Sequence, residues 1–275
     1  MATVLAGDGT PLYAEAHGDG TPVVFSCAMS TTHENWRPQV APLVAAGARV
    51  ILWDYRGHGL SAAPADPEAY SLDRVVDDLV RVLDWAVPGD PAPPVVLGGL
   101  SFGGLASLHF TLRHPERVRG LLLIDSGPGF KNPKAQAGWA RATERSAAFI
   151  ERRGLASFVE KAADTTVGLR PELPAARAAA AAIAAQDPTG LANFARRVAG
   201  IAPPVIDDLA SIDVPALVIV GEKDEPYLRA AEVMEAKLPR AERVTIPGAG
   251  HIVNIEAAEQ FDAAVIAFLE RIADS

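Results

Sequence analysis

The sequence predicts an α/β protein built on a mostly parallel sheet, and three observations carry that prediction. Short apolar runs of strand length alternate with segments whose apolar residues recur every three or four positions. Loops bearing glycine or proline separate them, as at residues 54–61 and 88–94. Residues 95–100 run straight into Gly99-Leu100-Ser101-Phe102-Gly103 and then into an apolar-periodic segment, which is the order strand, tight turn, helix.

Taken in order, residues 3–27 read as strands joined by turns, because Asp8-Gly9 and Gly18-Asp19-Gly20 are hairpin signals. Residues 22–25 form the first strand apolar enough for burial on both faces. A loop over 26–35 precedes a helix over 36–46, closed by Gly47. The strand at 49–53 then enters the polar loop 54–61. Ser71 caps a helix whose Val75, Val76, Leu79, Val82 and Leu83 share one face. Beyond the Ser101 turn, residues 121–124 make a strand ending at Asp125.

From 128 to 204 the strand rhythm stops. Helices are expected over 135–152, 155–163, the alanine-rich 175–185 and 191–199, since alanine has the highest helix propensity. The rhythm resumes with a strand at 215–220, a helix at 227–238, a strand at 243–246, the loop 248–251 and a final amphipathic helix at 255–272. The chain therefore divides into a core, residues 1–127 and 205–275, and a helical insertion, residues 128–204.

Composition narrows the function. A chain of 275 residues, 49% hydrophobic and 21% charged, can bury a sizeable core. A formal net charge of −9 repels phosphate backbones and anionic lipid, so nucleic acid and membrane surfaces are disfavoured partners. No run approaches the ~18 to 20 apolar residues that span a bilayer. The first residues lack the basic and apolar regions of a signal peptide, and the single cysteine, Cys27, excludes an intrachain disulfide, so a cytoplasmic location is expected. No Cys/His cluster has metal-ligand spacing and no phosphate-cradling loop is evident, so neither metal nor cofactor is expected.

A serine hydroxyl becomes a nucleophile when a base removes its proton, so a catalytic serine needs exposure on a turn and a histidine within reach. In a parallel sheet such groups gather at the carboxyl ends of strands. Ser101, Asp224 and His251 each stand just past a predicted strand, in that order. His251 would act as base and Asp224 would orient it. Glu222 and Glu225 flank Asp224, and Asp125 is a second strand-end carboxylate. Asp224 is preferred because it lies beyond Glu222 and precedes Pro226, which can start a helix.

These residues resemble the α/β-hydrolase superfamily over nearly the whole chain, through Gly99-Leu100-Ser101-Phe102-Gly103, Asp54-Tyr55-Arg56-Gly57-His58-Gly59-Leu60-Ser61, Gly221-Glu222-Lys223-Asp224 and Gly248-Ala249-Gly250-His251. The chain looks most like the cofactor-free branch of small esterases, lactonases, carbon–carbon bond hydrolases and haloperoxidase-like enzymes. The resemblance implies an α/β-hydrolase fold: a mostly parallel eight-stranded sheet, helices on both faces and a helical cap inserted after Asp125. It implies Ser101 as nucleophile, Asp224 as acid and His251 as base. It also implies a structural role for loop 54–61, which leaves Arg56 and His58 outside the catalytic set. Where the family usually carries His-Gly, this chain has Ser26-Cys27-Ala28-Met29, similar to the Ser-Asn-Ser-Leu of 3-oxoadipate enol-lactonases at Ser26 alone.

An oxyanion hole made of backbone N–H groups survives that change, and Ala28 and Phe102 are its expected donors. Cys27 lacks an elbow and a base, so it reads as a buried small residue. Pocket candidates are Met29, Phe102, Tyr227, Ile252 and Val253 from core loops, with Trp139, Phe149, Phe158 and Phe194 from the insertion. A lining this apolar suits a small, mainly uncharged acyl substrate. His33 and Arg37 are expected to be solvated. The reading that follows is a serine hydrolase of esters or lactones. A carbon–carbon hydrolase, acyltransferase, thioesterase or perhydrolase would use the same triad, and a non-catalytic ligand sensor or a scaffold are readings of other classes. A homodimer stays open.

Overall fold

The computed structural model describes residues 1–273. Eight strands make one sheet: β1 (Ala2–Leu5), β2 (Pro11–His17), β3 (Thr21–Ser26), β4 (Ala48–Trp53), β5 (Val95–Leu100), β6 (Val118–Ile124), β7 (Ala216–Gly221) and β8 (Ala241–Ile246). Their order is β1-β2-β4-β3-β5-β6-β7-β8. The pairs β1–β2 and β2–β4 are antiparallel and every other pair is parallel. This is the mostly parallel sheet of the α/β-hydrolase fold.

Helices connect the strands: α1 (Arg37–Ala45), α2 (Leu72–Ala86) and α3 (Phe102–Arg113) before β6. The Ser71 hydroxyl accepts from the Arg74 N–H, which caps α2 as its sequence requires. Val75, Val76, Leu79, Val82 and Leu83 are all buried, and each contributes about 1.5–3 kcal/mol of transfer free energy relative to exposure. The register is what builds a site. Ser26 pairs with Gly99 and Leu100 with Ile124, so β3, β5 and β6 all terminate at one level of the sheet.

Between β6 and β7 the chain is helical: α4 (Pro133–Lys161), α5 (Ala163–Thr166), α6 (Pro174–Ala184) and α7 (Pro188–Phe194), continued by a π-helical stretch at Ala195–Ala199. Gly154, at φ 77° and ψ 169°, interrupts α4 where the sequence placed a gap between two helices. After β7 come α8 (Glu225–Lys237), α9 (Val253–Glu256) and α10 (Ala258–Ala273). The expected single helix over 255–272 is thus divided. Ala257, at φ −136° and ψ 50°, breaks it, and Glu256 turns its carboxylate back onto the loop before it. Among the described residues no helix is long and apolar enough to cross a membrane.

Candidate active site

Ser101 sits between β5 and α3 with φ 54° and ψ −115°. It and Asp125, at φ 40°, are the two non-glycine residues with positive φ among the described residues. Such conformations cost on the order of 1–3 kcal/mol and persist where surrounding structure imposes them. Here the imposition is visible. A Cβ on Gly99 would lie 2.1 Å from the Gly103 carbonyl carbon, and one on Gly103 would lie 2.6 Å from the Ser26 carbonyl oxygen. Only glycine at both positions lets the turn close this tightly beside the end of β3. The Ser101 N–H donates to the Ile124 carbonyl at 2.8 Å, and the Ser126 hydroxyl donates to the Ser101 carbonyl at 2.6 Å. Ser126 is a supporting residue with no motif to announce it.

His251 and Asp224 are brought together across two loops: His251 Nδ1 lies 2.8 Å from Asp224 Oδ2, and each is 6% exposed. In the tautomer that donates Nδ1–H to the carboxylate, Nε2 is the acceptor nitrogen of the ring. Ser101 Oγ is not bonded to His251. It lies 3.3 Å from Tyr227 Oη, and the Tyr227 ring packs 4.9 Å from the His251 ring. Tyr227, a pocket candidate from the sequence, therefore touches both. Burial raises the pKa of its phenol, so the hydroxyl remains a donor.

The second strand-end carboxyl is not solvated. Asp125 is completely buried, its Oδ1 accepts from the Gly221 N–H at 2.8 Å, and its Oδ2 has no donor. Burial, then the adjacent charge of Asp224, pushes its pKa well above the carboxylate range. Asp125 is thus the carboxyl whose neutral form the site favours, while Asp224 Oδ2 is the oxygen that faces His251 Nδ1.

The loop 26–29 is braced by the chain that follows β4. Trp53 Nε1 donates to Ser26 Oγ at 3.1 Å, Tyr55 Oη to the Cys27 carbonyl at 3.1 Å, and His58 Nε2 to the Met29 carbonyl at 2.7 Å. Burial lowers the His58 pKa, which suits a neutral ring in that role. Arg56 is a buried structural cation, bidentate on Asp78 at 2.7 Å for both contacts and also bonded to Asp8. Cys27 is fully buried, with burial raising its thiol pKa.

Of the expected oxyanion donors, Phe102 begins α3, where the first N–H groups lack intrahelical partners. The Ala28 N–H is already engaged, donating to Thr31 Oγ1 at 2.9 Å. Among pocket candidates, Ile252 and Val253 have no exposed surface, and Met29 packs against Ala147, Ala192 and Ala195 of the insertion. Phe194 reaches Phe102, ring centroids 5.2 Å apart. Phe158 is buried with Ile150, Leu155 and Leu191, with Phe149 packed against them, and Trp139 donates to the Ala199 carbonyl at 2.8 Å, all within the insertion. The expectation of a solvated His33 is corrected: it is 4% exposed, with Nδ1 2.7 Å from Asp54 Oδ2 and its ring against Tyr13. Isolated sequence reading misses this because the Asp54 partner lies in another loop. Arg37 is partly exposed and pairs with Glu15 at 2.6 Å and Glu34 at 2.8 Å. Among the described residues no group of three His, Cys, Asp or Glu side chains could hold a metal ion.

The fold and this strand-end constellation define an α/β hydrolase. The chain belongs to that family: the pattern of the family described as alpha/beta hydrolase fold matches residues 21–258. The chain is 27% identical to 3-oxoadipate enol-lactonase 2 of Acinetobacter baylyi over 98% of this chain and 96% of that one. It is 28% identical to a non-heme haloperoxidase of Rhodococcus erythropolis, over 98% of this chain and all of the other. The solved structure of a thermophilic esterase from Thermogutta terrifontis superposes with a TM-score of 0.84 at 27% identity, covering 98% of this chain and 97% of that one.

Proposed function

We propose that this hydrolase cleaves a carboxylic ester or lactone through an acyl-enzyme on Ser101. The observation that carries the reading is the His251–Asp224 contact of 2.8 Å beside a serine held at φ 54°. Ser101 Oγ attacks the acyl carbonyl while His251 Nε2 takes its proton. The resulting oxyanion is held by the Phe102 N–H and by the Ala28 N–H, which Thr31 Oγ1 must release. Collapse expels the leaving alcohol, which His251 protonates. Water then attacks the acyl-enzyme, giving its proton to His251 and returning one to Ser101.

In this reading residues 128–204 are a cap over the strand ends, and Phe194 brings an apolar wall against Phe102. A small, mainly apolar acyl group fits such a site. Relatives named for lactonase, esterase and haloperoxidase activity share the fold. The leaving group therefore has to be read from turnover rather than from likeness.

Two measurements test the proposal. A fluorophosphonate should label the native protein and leave Ser101→Ala unlabelled, and p-nitrophenyl acetate should give a product burst that Ser101→Ala lacks. Equal hydrolysis by Ser101→Ala ends the reading. Labelling with no turnover on esters, lactones, thioesters or vinylogous diketones would replace it with a ligand sensor.

A further inference from the structure

Glu256 closes α9 five residues after His251 and is 8% exposed. A carboxylate this buried needs donors, and Glu256 draws all of its own from backbone. Oε2 accepts from the Gly250 N–H at 2.6 Å, and Oε1 accepts from the Ile252 N–H at 3.3 Å. Those two amides flank His251 on either side. Oε1 also accepts from the Leu169 N–H at 3.2 Å, in the turn between α5 and α6 of the helical insertion.

The packing around that third contact is close. Gly168 has φ 80°, and a Cβ on it would lie 2.4 Å from Glu256 Oε1. A Cβ on Gly250 would meet the Leu169 side chain at 3.0 Å. Leu169 is itself 47% exposed, so apolar burial of its side chain is not what keeps this turn in place. Its N–H, donating to Glu256 Oε1 at 3.2 Å, is the polar tie between this turn and the His251 loop.

We infer that Glu256 is a positioning residue that clamps the His251 loop from both sides and fastens it to the helical insertion, so that the reach of His251 toward Ser101 depends on where the insertion sits. The inference rests on the proposed Ser101–His251 chemistry. Its physical content is that one carboxylate answers three amides from two parts of the chain. Displacing the 168–169 turn pulls the same oxygen that holds the Ile252 N–H. A shift of about 1 Å in a catalytic group can cost on the order of 10²-fold in rate. An insertion that opens for substrate would thereby slacken the base, and closing would restore it.

Two variants approach the carboxylate from opposite sides. Glu256→Gln replaces one acceptor oxygen by a donor, so either Gly250 or the Leu169 and Ile252 pair loses its partner. Gly168→Ala leaves the His251 loop unaltered and pushes on Oε1 from the insertion. In both, fluorophosphonate labelling of Ser101 and kcat on an activated ester should fall about tenfold or more, with KM within about threefold and an unchanged circular-dichroism spectrum. Native protein that resists the probe would defeat the serine-hydrolase reading itself. Native protein that labels while both variants label equally fast overturns the clamp, and a normal Gly168→Ala beside a slow Glu256→Gln overturns its link to the insertion. Should either variant fail to fold, hydrogen exchange in the native protein decides. Leu169, Gly250 and Ile252 amides should share one protection factor, and a freely exchanging Leu169 beside a protected Gly250 would overturn the proposal.

Discussion

Asp125 and Asp224 form a pair of buried carboxyl groups held in different ways, Asp125 by backbone and Asp224 by His251. Asp125 takes the Gly221 N–H on Oδ1 at 2.8 Å and leaves Oδ2 without a donor, while Asp224 takes His251 Nδ1 at 2.8 Å. Burial first, and then repulsion from the Asp224 charge, raises the Asp125 pKa well above the ordinary carboxylate value and favours its neutral form.

Asp125→Asn should therefore keep the ester-hydrolysis rate within about threefold, because an amide mimics the neutral acid, whereas Asp224→Asn should lose about 10⁴-fold by leaving His251 in the wrong tautomer. Stability separates them further. The folded pKa of Asp125 lies above its unfolded value, so its contribution is complete below the unfolded pKa and is lost as pH rises toward the folded one. As pH rises from the ordinary carboxylate value of 3.8 toward neutrality, the Tm of Asp125→Asn should fall less, or rise more, than that of the native protein. An identical slope would contradict a neutral Asp125.

Tyr227 Oη sits 3.3 Å from Ser101 Oγ and stays protonated. In acylation a donor on Oγ blunts the nucleophile, but in deacylation Oγ is the leaving group and the same donor assists it. Removing one neutral hydrogen bond of about 0.5–1.5 kcal/mol, Tyr227→Phe should slow deacylation by about two- to tenfold. Stopped-flow measurement on p-nitrophenyl acetate should show a larger burst and a slower steady state.

Thr31 Oγ1 accepts from the Ala28 N–H, one of the two amides proposed to hold the oxyanion. Thr31→Val removes the acceptor at nearly constant volume, leaving a buried N–H unpaired at a cost of about 1–3 kcal/mol. The melting temperature should drop, while acylation stays equal to or faster than that of the native protein. Slower acylation would point to a different donor.

His33 lies between Asp54 and Glu34, at 2.7 Å and 3.2 Å. Burial opposes its charged form, yet the Asp54 hydrogen bond and the surrounding carboxylates prevail and raise its pKa. Its contribution to stability is thus complete below the ordinary histidine value of 6.5 and lost as pH rises through the raised folded value. The Tm difference between native protein and His33→Gln should be larger near pH ~5.5 than near pH ~8.5. A difference that grows with pH would exclude a charged His33.

The sequence by itself determined the sheet, the helices and the order of the three strand-end residues. Apolar periodicity, the Ser71 cap and glycine at 99 and 103 are local signals, and local physics reads them. Between the strand-end carboxylates it favoured Asp224 on local grounds, its place before Pro226; the 2.8 Å contact of Asp224 with His251 and the complete burial of Asp125 are properties of how β6, β7 and the following loops lie side by side. It could not foresee Ser126 on the elbow, Trp53 and Tyr55 under the Ser26–Met29 loop, or Glu256 on the amides around His251. Each is a hydrogen bond between a side chain and distant backbone, and backbone groups leave no residue-type signature. The break at Ala257 was hidden as well, because residues 255–272 are apolar-periodic throughout, while the residue before the break, Glu256, is tied back to the loop amides by a contact that only the tertiary structure shows.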